Sequence, residues 1–124
     1  MNTRFLILLI CLPLYAFAEC NHVVVDRNPA LACVNVANYS NIDVVVTGFP
    51  GFSLKPNLSE ETMLLSGSGN LVHVSPNPLH YDDKRLNCRF KTKDAKKNKI
   101  TIRYYKDFYE VTPAQFINNC EYIR

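Results

Sequence analysis

An all-β fold is what this sequence predicts: a small, disulfide-braced antiparallel β-sandwich, immunoglobulin-like in outline, with a short C-terminal helical turn. Three observations lead there. Short runs of alternating apolar and polar residues recur at near-regular spacing, divided by clusters of Gly, Pro, Asn and Asp. No long apolar period of the helical kind interrupts them. Beyond the first segment, four cysteines remain in a short chain, an even count of the kind that forms a disulfide framework.

The first segment, 1–18, has the layout of a cleaved secretory signal peptide. Arg4 precedes an apolar run from Phe5 to Phe17, and Ala16-Phe17-Ala18 supplies the small residues that a cut after Ala18 needs. The run is shorter than the ~20 residues of a spanning helix. Glu19 stands where a lipoprotein signal wants a small residue, so Cys20 is not read as a lipid anchor. The mature chain, 19–124, is then one β-sandwich domain in the periplasm or outside the cell, with no transmembrane segment after cleavage. Cys11 leaves with the signal. Cys20, Cys33, Cys88 and Cys120 stay, and the expected pairs are Cys20–Cys33 and Cys88–Cys120. The first pair flanks a tight hairpin, and the second ties the tail to a core strand. Two such bridges contribute roughly 2–4 kcal/mol each. Pairing of Cys33 with Cys88 and Cys20 with Cys120 is the rival pattern, because sandwiches often bridge their sheets.

In chain order, Asn21 to Asp26 places three β-branched residues together and reads as a first strand. Asp26-Arg27-Asn28-Pro29 has turn chemistry. Leu31 to Ala37 alternates, with Leu31, Cys33 and Asn35 opposite Ala32, Val34 and Val36. Ile42 to Phe49 is the next strand, stopped by Gly48, Pro50 and Gly51. Phe52 to Asn57 reads as an edge strand, Leu58 to Glu61 as a polar link, and Thr62 to Ser66 as a short apolar run. Gly67-Ser68-Gly69-Asn70 then forms a hairpin loop to Leu71–Ser75. In that strand Val72 and Val74 face one side, and Leu71, His73 and Ser75 the other. An irregular link through Pro76 and Pro78 follows. Thr112-Pro113 reads as the start of a short helix, Thr as cap and Pro in the first position.

The plainest alternation lies between Arg85 and Tyr109. Leu86, Cys88 and Phe90 share one face, as do Ile100, Ile102 and Tyr104, and the polar stretch Thr92–Asn98 separates them. The expectation is an amphipathic β-hairpin, residues 84–109. Between Lys84 and Lys106, Lys84, Arg85, Arg89, Lys91, Lys93, Lys96, Lys97, Lys99, Arg103 and Lys106 are opposed by Asp94 alone, while the remaining mature chain is acidic. A chain of formal net charge +3 therefore carries a concentrated basic patch.

Chemistry-bearing patterns are few. No P-loop, EF-hand, H-E-x-x-H or G-x-G-x-x-G occurs, and Ser66-Gly67-Ser68-Gly69 is not a nucleophile elbow. Zinc wants a closely spaced cysteine pair that is missing here. His80-Tyr81-Asp82-Asp83 is a polar loop before it is a metal site. No catalytic residue, metal site or cofactor is assigned, and the chain is not read as an enzyme. The tryptophan of antibody domains is absent, so only the outline of that fold is claimed.

The expected function is a small exported non-catalytic binding domain. It contacts an anionic macromolecule or surface through Arg89, Lys91, Lys93, Lys96, Lys97, Lys99, Arg103 and Tyr105, the partner being a protein or an anionic glycan or lipid. Export removes cytosolic nucleic acid from consideration. A first alternative is an enzyme inhibitor that presents the Gly48-Phe49-Pro50-Gly51-Phe52 tip. A second is an immunoglobulin-like viral or parasite protein secreted toward a host. The sequons Asn38-Tyr39-Ser40 and Asn57-Leu58-Ser59 would support the second.

Overall fold

The computed structural model describes residues 20–48, 51–67 and 70–123. The expected signal segment 1–18, and with it the cut after Ala18, lies outside the described residues. So do Phe49 and Pro50 of the expected tip, and Ser68 and Gly69 of the expected hairpin loop.

The described chain runs α1 (His22–Arg27), β1 (Leu31–Asn38), β2 (Val44–Thr47), β3 (Phe52–Leu54), β4 (Ser59–Leu65), β5 (Leu71–Pro76) and β6 (Arg85–Arg89). It continues through α2 (Thr92–Lys97), β7 (Thr101–Tyr104), β8 (Tyr109–Thr112), a 3-10 helix (Ala114–Asn119) and β9 (Cys120–Ile123). The strands make two sheets, ordered β4-β1-β7-β8 and β3-β2-β5-β6-β9. The protein is thus mostly β, in two sheets, with two disulfides. Alternation supplies the core from both. Ala32, Val34, Val36, Leu64, Ile102 and Tyr104 of the four-stranded sheet join Val44, Val46, Val72, Val74, Leu86 and Cys88 of the five-stranded one in a single buried cluster.

The expectation of a wholly antiparallel fold is corrected. β1 and β7 run parallel, from Asn35 opposite Thr101 to Asn38 opposite Tyr104. The basic hairpin is corrected with it. β6 lies in the five-stranded sheet and β7 in the four-stranded one, so the chain between them crosses from sheet to sheet. The alternation itself holds: Leu86, Cys88, Phe90, Ile100, Ile102 and Tyr104 are all essentially inaccessible. Period two identifies the buried face of a strand and is silent about its neighbour. The connection folds as α2 because Ala and Lys favour helix. Asp94 in its first turn and Lys96 and Lys97 in its last suit the helix dipole. Ala95 and Thr92 are buried against the rest of the protein. The hairpin expected between Thr62–Ser66 and Leu71–Ser75 fails for the same reason, since β4 and β5 belong to different sheets. β4 also begins earlier than its apolar run, at Ser59, because Ala37 to Leu31 of β1 offer it a continuous ladder.

Both ends of the chain depart from expectation. The valine run expected as a strand is α1, where Asn21 Oδ1 accepts from Val23 and Val24 N–H at 3.1 and 3.3 Å. Only Val25 of the three valines is buried, with Cys20 and Leu31, beside Met63 and Leu65. Near the C-terminus Thr112 is the last residue of β8 and not a helix cap. Pro113 is extended, and the helical piece is a 3-10 helix. At a rise of about 2.0 Å per residue, against about 1.5 Å for an α-helix, six 3-10 residues reach farther across the short link between the two sheets.

Both expected disulfides are formed, Cys20–Cys33 and Cys88–Cys120. The second joins residues directly opposite each other on β6 and β9. Where β2 ends, a Cβ on Gly48 would stand 3.2 Å from Thr62 Cβ and closer still to its hydroxyl. Thr62 is fully buried, so it has little room to yield. Gly48→Ala is therefore expected to cost about 1–3 kcal/mol, the usual range for overpacking. Urea denaturation reads this directly, and an unchanged midpoint would show that the turn relaxes freely away from β4.

Candidate basic surface and adjoining cleft

The eight residues expected to bind fall into two groups. Lys91, Lys93, Lys96, Lys97 and Lys99 line the helical connection and are all exposed. Lys96 is already engaged: its Nζ donates to the Val25 carbonyl at 2.7 Å, pinning α2 to the end of α1. The others lie apart from the helix. Arg89, at the end of β6, donates to Asn70 Oδ1 at 3.1 Å. Arg103 is on β7, where it stands opposite Glu110 and donates to the Thr112 hydroxyl. Tyr105 stacks on Phe108 with ring centroids 4.3 Å apart, and on Tyr39 at 5.5 Å. A hydrogen bond to Glu110, then burial, holds its phenol above the ordinary tyrosine pKa. Tyr39 and Phe108 are about half exposed, so an aromatic stripe crosses the ends of β1, β7 and β8.

Beside the lysines opens a cleft of about 730 Å³ that the sequence did not disclose. α1 and α2 form its walls, and its floor is Ala32, Cys33 and Asn35 of β1 with Glu61 of β4. On one wall His22 Nε2 lies 2.9 Å from Glu61 Oε1, with Asp26 nearby in the lining. On the other stand Lys96, Lys97 and Lys99. His22, Glu61 and Cys33 bring their potential ligand atoms within 4.8 Å of one another. Cys33 is oxidised to the disulfide with Cys20, however, so no thiolate is available and the group is not a three-ligand metal site. The only local hint of this cleft is His22 next to a capping Asn. Its partner Glu61 is 39 residues away.

The other sequence candidates stay apart. His73 sits on β5 opposite Thr47 and Asn87. Burial, then Arg85 and Arg89, lower its pKa. The His80–Asp83 loop closes on itself, with His80 N–H donating to Asp83 Oδ2 at 2.8 Å. Ser66 lies against the Ala30 carbonyl, and among the described residues no histidine is in hydrogen-bond contact with it. Of the inhibitor tip, Gly51 is exposed, while Phe52 is in β3 and packs partly against the core.

The two sequons separate cleanly. Asn38 is fully buried, and its amide donates to the Ile42 and Leu54 carbonyls at 2.8 and 3.1 Å while its oxygen accepts from Ser40. A glycan on that nitrogen is incompatible with this fold. Asn57 is exposed in a turn with φ 68°, a conformation asparagine tolerates well.

These features define a mostly β, two-sheet, two-disulfide protein with a basic helical connection and a cleft beside it. Comparison of the chain with known protein families, curated proteins and solved structures returned no match. Two disulfides suit an oxidising compartment. Among the described residues no helix is long and apolar enough to cross a membrane.

Proposed function

We propose that the protein is an exported, non-catalytic binding module, a β-sandwich whose lysine-bearing connection contacts an anionic macromolecule or surface. One observation carries this: Lys91, Lys93, Lys96, Lys97 and Lys99 project from one short connection, and Asp94 is the only carboxylate among them. Such a concentration of one charge raises the local potential and speeds the encounter with a polyanion. Export rests on the signal layout of residues 1–18 and agrees with the two disulfides. The inhibitor alternative draws less support, because Phe52 is half-buried in a strand.

The test removes charge without touching the fold. Lys93→Gln, Lys97→Gln and Lys99→Gln are combined, and Lys96 is kept because it holds α1. Stability should stay within about 0.5 kcal/mol of the parent, as for surface substitutions generally. Binding to sulfated polysaccharide or to phosphatidylglycerol vesicles should fall on the order of tenfold or more. Parental binding should also weaken as salt rises toward 0.15 M, where the screening length shrinks to about 8 Å. Undiminished affinity in the triple variant, or binding indifferent to salt, would reduce the lysines to a solubilising surface.

A further inference from the structure

We propose that the ligand is an acidic glycan, and that its sugar rings are read in the cleft between α1 and α2. This rests on the lysine assignment above and narrows it from any polyanion to one chemical class. The cleft carries both halves of the required chemistry. Lys97 and Lys99, whose ammonium groups are unpaired among the described residues, supply the cations for a sulfate or uronate carboxylate. Lining the same space are His22, Asp26, Asn35 and Glu61, the donors and acceptors that sugar hydroxyls need. Among the described residues the side chains of Asp26, Asn35, Lys97 and Lys99 make no hydrogen bond, so their capacity is unspent.

The carboxylates are what discriminate. A bare anion or a sheet of phosphate headgroups offers few or no donors, and would meet Asp26 and Glu61 as like charges. A polyhydroxylated ring turns those same carboxylates into acceptors, the charge-assisted bonds being the stronger kind. An acyl chain would desolvate charged groups on both walls without compensating any of them. A flat bilayer cannot enter a concave site. The volume, about 730 Å³, lies in the range of small-ligand clefts and leaves room for sugar rings while the polymer continues over the exposed helix.

The experiment titrates the whole mature protein with three probes: a sulfated oligosaccharide, the uncharged oligosaccharide of the same length, and vesicles of phosphatidylglycerol in phosphatidylcholine. Asn35→Ala and Asp26→Asn are each compared with the parent. Asn35 lies on the outward side of β1, half-exposed, and Asp26 is exposed on α1, so neither should lower Tm appreciably. A Tm loss in one variant leaves the other to report. The expected result is tight binding of the sulfated oligosaccharide, weakened at least fivefold by each substitution, with vesicle binding weak and unmoved by either. Glycan binding that the lysine triple variant loses but both cleft variants keep would overturn the cleft and spare the lysines. Vesicles bound as tightly as the glycan would do the same. Absence of binding to all three probes would overturn both assignments.

Discussion

Replacing Cys88 and Cys120 together by alanine should remove about 4 kcal/mol of stability, a large part of what a small domain has. The bridge closes a loop with a sequence separation of 32 residues. Chain entropy alone gives the loss its size. Both residues are also in the buried core, and Cys88 is wholly inaccessible, so lost packing adds to the loss. The bond holds edge strand β9 onto β6, and through the 3-10 helix it links the two sheets. The equivalent change at Cys20 and Cys33 should cost less, about 3 kcal/mol. That loop has a separation of only 13, and it anchors α1 over a small satellite cluster. Urea denaturation under oxidising conditions ranks the two variants. The opposite ranking would mean that α1, and not β9, is the element the fold depends on.

Ile102→Ala should cost roughly 2–5 kcal/mol, as large-to-small changes do in a packed core. Arg103→Ala, one residue along the same strand, should stay within about 1 kcal/mol. β7 lies between β1 and β8, and Ile102 sits level with Val36 on one side and Val111 on the other. All three side chains are buried, so the methyl groups removed leave a cavity that the sheet is too constrained to close. Arg103 points to the opposite face, and its loss removes one hydrogen bond to Thr112 at a half-exposed position. Comparable midpoint shifts for the two variants would contradict the facing assigned to β7.

Much of the fold was legible residue by residue. Val72 and Val74, Leu86 and Cys88, Ile100 and Ile102 are buried as their alternation required. Of the two cysteine pairings weighed, the one favoured by spacing and by the strand that carries Cys88 is the one formed. The lysines from Lys91 to Lys99 are exposed as their charge demanded. The candidate site was legible only as charge. Arg89, Arg103 and Tyr105 fit the basic, aromatic pattern but are occupied, by Asn70, by Thr112 and by stacking on Tyr39 and Phe108 respectively. The cleft was not visible at all, because His22, Asn35, Glu61 and Lys97 come together from α1, β1, β4 and α2.

By itself the sequence determined which face of most strands is buried and where the positive charge gathers. Each of these depends on local pattern or on composition, and survives any arrangement of strands. Only the tertiary structure decided that β6 and β7 enter different sheets, that β1 and β7 run parallel, and that Val23–Val25 coil into a helix. It likewise closed Asn38 within the fold while leaving Asn57 at the surface. Those outcomes turn on long-range burial. A valine run gains more by placing Val25 against Leu31, beside Met63, than by extending alone, and that choice exists only once distant strands have supplied the surface to cover.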